Sequence, residues 1–188
     1  DIYVDNAFGA CNRAHASTVA VARYLPAVAG LLLEKELTTL NGLMANPDRP
    51  FAVMVGGAKV ATKLGLLDNI LPRVNILLIG GGMIATFLKS QDHGVGSAAV
   101  ENDQLDHVLK LGKRARSLGV RLLLPLDLLV AQKLEAGSTA RIVSIDQILE
   151  GWVIVDIGTK TIEAFSKQLN GCKTVFWKPG PQFLFLFC

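Results

Sequence analysis

The sequence predicts an α/β protein: a doubly wound, Rossmann-like parallel sheet with helices on both faces. Three observations carry this. Phe51–Val55 and Ile76–Ile79 are short runs without a polar residue, as strands buried on both faces are. Each run ends in glycines, Gly56-Gly57 and Gly80-Gly81-Gly82, and passes into a stretch of helical periodicity. Of the 188 residues, 51% are hydrophobic and only 19% charged, enough apolar material to cover a sheet on both sides.

The elements follow in order. Asp1 to Leu25 is too short to be a domain and is expected to pack on something else. Residues 27–45 read as one long helix with Val28, Leu31, Leu32, Leu37, Leu40, Leu43 and Met44 on its buried faces. Pro26 stands near its start and Asn46-Pro47 stops it. After the strand at Phe51–Val55, a helical pattern runs through Val60, Leu64, Leu67 and Leu71 to a break at Pro72. After Ile76–Ile79 another runs through Phe87 and Leu88. Residues 101–118 form the cleanest helix, with Leu105, Val108, Leu109, Ala115 and Leu118 on one face. Its acids, Glu101 and Asp103, open it; its bases, Lys110, Lys113, Arg114 and Arg116, close it, as the helix dipole prefers. Gly119 terminates it. Then come strands at Arg121–Leu124 and, weaker, at Trp152–Val155, a helix over about 160–169 and a strand at Thr174–Trp177. In such sheets ligands bind beyond the carboxyl ends of the strands. Gly56-Gly57, Gly80–Gly82 and the Asp127 region are expected there. The tail Phe183–Cys188 has no polar residue and reads either as a buried strand or as the product of truncation or a misread end.

Bulk properties exclude several classes. A net charge of +3 and a pI near 8.8 suit an anionic ligand but do not indicate nucleic acid. The pair Lys113-Arg114, with Arg116 nearby, reads as a solvated helix face. Cys11, Cys172 and Cys188 match no zinc spacing and no disulfide framework, which implies a reducing compartment and no metal site. No signal peptide opens the chain, and no stretch approaches the ~20 apolar residues of a membrane span. The chain does not begin with Met, so a fragment is expected.

Three segments carry chemistry. In Gly56–Lys63 the glycines let the backbone approach a ligand, and the following helix would offer free N–H groups and a positive dipole end. Lys59 and Lys63, four apart, would share a helix face and form a polyphosphate cradle. The plainer alternative is a tight turn with two surface lysines. The segment is not a Walker A loop, because the glycine-lysine-serine/threonine ending is missing. Gly80–Ala85 matches G-x-G-x-x-A, a dinucleotide pattern, yet the acids about twenty positions on, Glu101 and Asp103, open a helix instead of ending a strand. A glycine turn against some other nucleotide fits better. In Asn6–Ser17, Arg13 would clamp a phosphate or carboxylate, while His15 reads as a ligand or a satisfied polar group near a helix cap. His93 and His107 carry no signal, and His107 is placed on the polar side of its helix.

Taken in order, these segments resemble the phosphoglycerate kinase family. Asn6–Gly9 through Ser17 resembles its Asp-Ala-Phe-Gly and His-Arg-x-His-x-Ser signature, and Leu25–Ala27 with Glu34–Leu37 resembles its hinge. Pro50-Phe51, Gly56–Val60, Lys63, Gly80–Met83, Phe87–Lys89, Leu124–Asp127, Gly151-Trp152 and Asp156–Gly158 follow in the family's order, and the likeness runs to about Trp177. It implies reversible transfer of a phosphoryl group between 1,3-bisphosphoglycerate and ADP, giving 3-phosphoglycerate and ATP, with magnesium. It also implies a cytoplasmic (or plastid) monomer of two domains closing over a hinge, without nucleic-acid or membrane partners. Residues 1–26 would be the remnant of the substrate domain, 27–45 the hinge helix and 46–188 a truncated nucleotide domain. By position, Arg13 and Asn12 would contact the glycerate substrate, Lys59 would stabilise the transferring phosphoryl group and Lys63 would hold nucleotide phosphates. Gly57, Ala58 and Gly81 would border the adenine, with Gly56, Gly80 and Gly82 beside them.

The chain departs from the pattern at named positions. Asn12 replaces a histidine, Asp5-Asn6 inverts the Asn-Asp order, and Thr62 stands for the usual aspartate. Ile154 replaces a glycine bordering the adenine, and Lys178, in Trp177–Pro181, replaces a phosphate-contacting asparagine. The family's early substrate-binding arginines and aspartate, its late glycine-rich helix start and its metal-binding aspartate are absent. Two alternatives therefore stand beside the kinase: a non-catalytic or degenerate kinase-derived binding module and, from Gly80–Ala85, an NAD-dependent oxidoreductase.

Overall fold

The computed structural model describes residues 1–11, 13–135 and 137–178. The chain divides into two units, Asp1–Pro47 and Asp48–Cys188.

In the first unit, β1 (Tyr3–Asp5) and β2 (Ala27–Ala29) pair in parallel, Tyr3 opposite Ala27. A π-helical turn, Ala16–Ala20, and a 3-10 turn, Val21–Arg23, lie between them in the chain. α1 (Leu31–Ala45) follows. The single helix expected over 27–45 is thus corrected to a strand, Gly30 and a helix. The cause is distant in sequence. The Gly30 N–H donates to the Asp5 carbonyl at 2.6 Å, extending the strand pairing. Asn6 Oδ1 then accepts the N–H groups of Leu32 at 2.8 Å and Leu33 at 3.4 Å, capping the helix start in space. A side chain at Gly30 would strike Asn6. The expected buried faces shift as well. Leu33 is the buried residue of α1, while Leu31, Leu32, Leu37 and Val28 are exposed within the chain.

The second unit runs β3 (Phe51–Gly56), α2 (Leu64–Ile70), β4 (Ile76–Gly80), α3 (Ile84–Lys89), α4 (Leu105–Ser117), β5 (Arg121–Leu123), β6 (Asp127–Ala131), β7 (Ala140–Ser144), β8 (Val153–Ile157), α5 (Thr159–Leu169) and β9 (Thr174–Lys178). Its main sheet has the order β5-β4-β3-β9, all parallel. The alternating sides of β3 and β4 are both buried, so the apolar runs are two-sided strands as expected. Ala52, Ile76 and Leu78 meet Phe165 of α5, with Leu169 and Cys172 beside it. On the other side Phe51, Val53, Val55, Leu77 and Ile79 are fully buried. The chain steps outward from β3 through β4 to β5 and returns to β9 on the opposite side of β3. The strand order therefore reverses between the carboxyl ends of β3 and β9, where Val55 stands level with Lys178.

Residues 152–155 do not join that sheet. β8 lies in a separate antiparallel sheet, β7-β6-β8, in which Val130 pairs with Ile154. Neither β6 nor β7 was among the expected strands, although Leu128–Ala131 of β6 is an apolar, largely buried run. β7 keeps Arg141 and Ile142 exposed and so lacks an apolar run, and Arg141 stacks 4.3 Å from the Trp152 ring centre.

The α4 phase also differs. Its buried residues are Val108, Leu111 and Ala115, spaced three and four apart, whereas Leu109 and Leu118 are exposed. The first part of 101–118 is a 3-10 turn, Asn102–Gln104. His107 is not on a free polar face: its Nε2 lies 2.9 Å from Asp68 Oδ2 of α2, and Arg114 reaches the same carboxylate at 3.5 Å. The expectations for Asn12, Pro179–Pro181 and the tail at 183–188 fall outside the described residues.

Candidate functional site

Two glycine turns meet at the carboxyl ends of β3 and β4. Gly57 follows β3, and Gly81–Met83 forms a 3-10 turn directly after β4. The Met83 N–H donates to the Gly57 carbonyl at 3.0 Å. Gly81 has φ +70, and a Cβ there would stand 2.9 Å from the Gly57 nitrogen. At Gly82 it would stand 3.2 Å from the Ala58 carbonyl oxygen. Glycine is required because two backbones share this space. The lysine of the first turn uses the same gap: a Cβ on Gly57 would lie 3.4 Å from Lys63 Cε and 3.6 Å from Met83 Sδ. The aliphatic stem of Lys63 therefore crosses Gly57, and its ammonium lies 3.3 Å from Thr62 Oγ1.

The two lysines do not share a helix face. Residues 58–63 are irregular, Lys63 occupies the N-cap position of α2, and Lys59 lies before the helix, exposed. The reason is a carboxylate. Glu101 Oε1 accepts the Val60 N–H at 2.5 Å and Oε2 accepts the Ala61 N–H at 3.1 Å. Val60 is fully buried beneath them. The expected free N–H groups are thus partly occupied by an internal anion, which leaves the lysine side chains as the cationic donors of the turn. Glu101 itself is fixed by its N–H, which donates to Thr86 Oγ1 of α3 at 3.2 Å. Thr86 is buried in the helix that leaves the second glycine turn. Val60 and Glu101 are 41 positions apart in sequence, so no local pattern announced this pair.

β8, which carries Ile154, packs against Gly81–Met83. Asp127 has a structural task. Its carboxylate accepts the N–H groups of Lys160 at 3.1 Å and Thr161 at 2.8 Å and the Thr161 hydroxyl at 2.6 Å, capping α5 from another element. Burial pushes the Asp127 carboxyl up, but the Thr161 hydroxyl, the Thr161 and Lys160 N–H groups and the Lys160 charge together hold it below the ordinary carboxylate value. A Cβ on Gly158 would overlap that carboxylate. Asp156 is pushed the other way by burial, which the Ile157 N–H only partly offsets.

In the first unit Arg13 is exposed, and its carbonyl accepts the Thr18 hydroxyl at 2.9 Å. The His15 N–H donates to Thr18 Oγ1 at 3.3 Å, so His15 opens the π-helical turn. Among the described residues, no group of three His, Cys, Asp or Glu side chains is placed to hold a metal, and no helix is long and apolar enough to cross a membrane.

Paired glycine turns at the carboxyl ends of two adjacent parallel strands define an open, doubly wound α/β protein of the kind that binds ligands beyond those strand ends. A family model, "Phosphoglycerate kinase", matches residues 1–184, beyond Trp177 where the motif likeness ends. The chain belongs to the phosphoglycerate kinase family. It is 48% identical over all 188 residues to "Phosphoglycerate kinase, cytosolic" of Nicotiana tabacum and covers 47% of that protein. It is 46% identical over 185 residues to the phosphoglycerate kinase of Moorella thermoacetica, covering 98% of this chain and 47% of the relative. The solved phosphoglycerate kinase of Coxiella burnetii superposes with a TM-score of 0.83 at 38% identity, over 94% of this chain and 46% of that one. The chain thus spans about half the length of the relatives it matches. The family model covers Gly80–Ala85, and the acid at position 101 is engaged by Val60 and Ala61 rather than placed at a strand end. The oxidoreductase alternative loses its footing on both counts.

Proposed function

We propose that this chain takes part in reversible phosphoryl transfer between 1,3-bisphosphoglycerate and ADP, giving 3-phosphoglycerate and ATP, and that residues 46–188 form the nucleotide-binding portion. The observation that carries this reading is the meeting of the two glycine turns at the carboxyl ends of β3 and β4, with the Lys63 stem laid across Gly57. Glycine backbones admit a flat base and polyphosphate closely, and the ammonium at the end of the Lys63 stem matches the phosphates' charge. Gly57, Ala58 and Gly81 border the adenine, with Gly56, Gly80 and Gly82 forming the backbone around them. Lys63 holds nucleotide phosphates.

Lys59 acts on the transferring phosphoryl group. Such transfer needs little covalent work from the protein and relies on positioning and on stabilising charge. An exposed ammonium on a turn fixed at both ends serves that purpose. Arg13, with Asn12, binds the glycerate substrate; residues 1–26 belong to the substrate side and 27–45 to the hinge. Magnesium carried by the nucleotide would neutralise phosphate charge. Among the described residues no acidic cluster is placed to hold it. The protein acts as a cytoplasmic monomer, with a plastid the alternative location; two relatives, from Nicotiana tabacum and Arabidopsis thaliana, are named as cytosolic.

A second reading, a kinase-derived binding module without catalysis, is favoured by one observation: Ile154 sits on the strand packed against the Gly81–Met83 turn, so a branched side chain stands near the adenine side. Calorimetric titration of the 188-residue chain with magnesium-ADP, with NAD as control, tests the nucleotide site. Saturable ADP binding without NAD binding supports it, and no binding of ADP by the folded chain contradicts it. Phosphoglycerate-dependent ADP formation from ATP by the full-length protein separates the kinase from the module.

A further inference from the structure

We infer that Glu101 is a positioning residue of this site, a clamp that fixes the lysine turn against the second glycine turn. The inference rests on the nucleotide-site reading above.

Three observations converge. First, both carboxylate oxygens of Glu101 are used, on the consecutive N–H groups of Val60 and Ala61, which lie between Lys59 and Lys63. A two-point grip on adjacent amides fixes the turn's orientation as one contact does not. Second, the Glu101 backbone is held by the buried Thr86 of α3, the helix that continues the Gly81–Met83 turn. One residue therefore ties the two glycine turns together. Third, the loop that delivers Glu101 is anchored at its other end. Gly96 has φ +58 and lies so close to the Leu149 and Trp152 carbonyls that a Cβ would stand 2.5 Å from each oxygen. The Ser97 N–H donates to the Trp152 carbonyl at 2.9 Å.

The turn residues 58–63 are too few and too irregular to hold one conformation unaided, since α2 begins only at Leu64. Without the clamp, Lys59 and Lys63 would sample several arrangements. An anionic ligand binding to them would then bear the cost of ordering the turn. A ligand that touches only the glycine backbones would not.

The test uses the full chain as wild type, Glu101→Ala and Glu101→Gln, at a temperature where circular dichroism shows all three folded. ADP and adenosine are each titrated. Glu101→Ala is expected to weaken ADP by about tenfold or more while leaving adenosine unchanged. Glu101→Gln, with a single acceptor oxygen, is expected to fall between them. Amide hydrogen exchange of Val60 and Ala61, read by NMR without ligand, is expected to accelerate in Glu101→Ala. Unchanged exchange overturns the clamp, and accelerated exchange with unchanged ADP affinity overturns its role. Equal weakening of ADP and adenosine also overturns it, because that is a fold-wide effect. A wild-type chain that binds neither ligand contradicts the nucleotide-site reading and the positioning role with it, while amide exchange still reports on the clamp.

Discussion

Gly81 backs onto Gly57: at φ +70 it brings its Cα so close that a Cβ would stand 2.9 Å from the Gly57 nitrogen. Gly119 has nearly the same φ, +69, but open space around it. The pair separates backbone strain from collision. Gly119→Ala is expected to cost about 1–2 kcal/mol, the penalty for a left-handed residue with a side chain. Gly81→Ala should cost more in urea unfolding, because one turn must move, and should weaken ADP binding as well. Equal losses for the two would mean the turns are not in contact.

Lys63→Ala removes an ammonium that donates a hydrogen bond to the exposed Thr62 hydroxyl. It should therefore leave the unfolding midpoint nearly unchanged and reduce ADP affinity by about 1.5–3 kcal/mol, the range for a hydrogen bond to a charged group. Titration calorimetry reads it, and unchanged affinity removes Lys63 from the site.

Ile154→Gly should tighten adenine nucleotide binding, since the strand bearing it packs on Gly81–Met83. It should also cost about 0.5–1 kcal/mol of stability for glycine in a strand interior. Ile154→Ala, with the smaller backbone penalty, should show the same direction. If neither changes affinity, the side chain does not reach the base.

Asp127 and Asp156 respond oppositely to pH. The folded Asp127 carboxyl lies below its ordinary value, so its contribution is present above about pH 5. It is lost as pH falls through the ordinary carboxylate range to the lower folded value. Asp127→Asn should therefore lower the melting temperature at pH 7 and flatten the acid limb. Asp156, held above its ordinary value by burial, binds its proton more tightly in the fold. Its ionised form disfavours folding at neutral pH, and that penalty disappears as pH falls through its raised folded value. Asp156→Asn should raise the melting temperature at pH 7 and change it little near pH 3. Melting curves across that range decide both.

The strands that build the site were legible because Phe51–Val55 and Ile76–Ile79 are buried on both faces and so read as unbroken apolar runs. The glycines were legible as residue types, though not their reason, because Gly81 meets Gly57 across 24 positions of sequence. What failed was everything fixed from afar. Asn6 starts α1, Asp127 caps α5 and Glu101 delays α2, each from a separate element. Sequence-local capping rules see none of these. β7 escaped for another reason: it is largely exposed and carries no apolar period.

The most direct test is hydrogen–deuterium exchange of the 188-residue chain with and without saturating magnesium-ADP. The nucleotide-site reading predicts new protection in peptides covering residues 56–63 and 80–83, with little change in β7. Protection elsewhere, or none at those two turns despite measured binding, would contradict it.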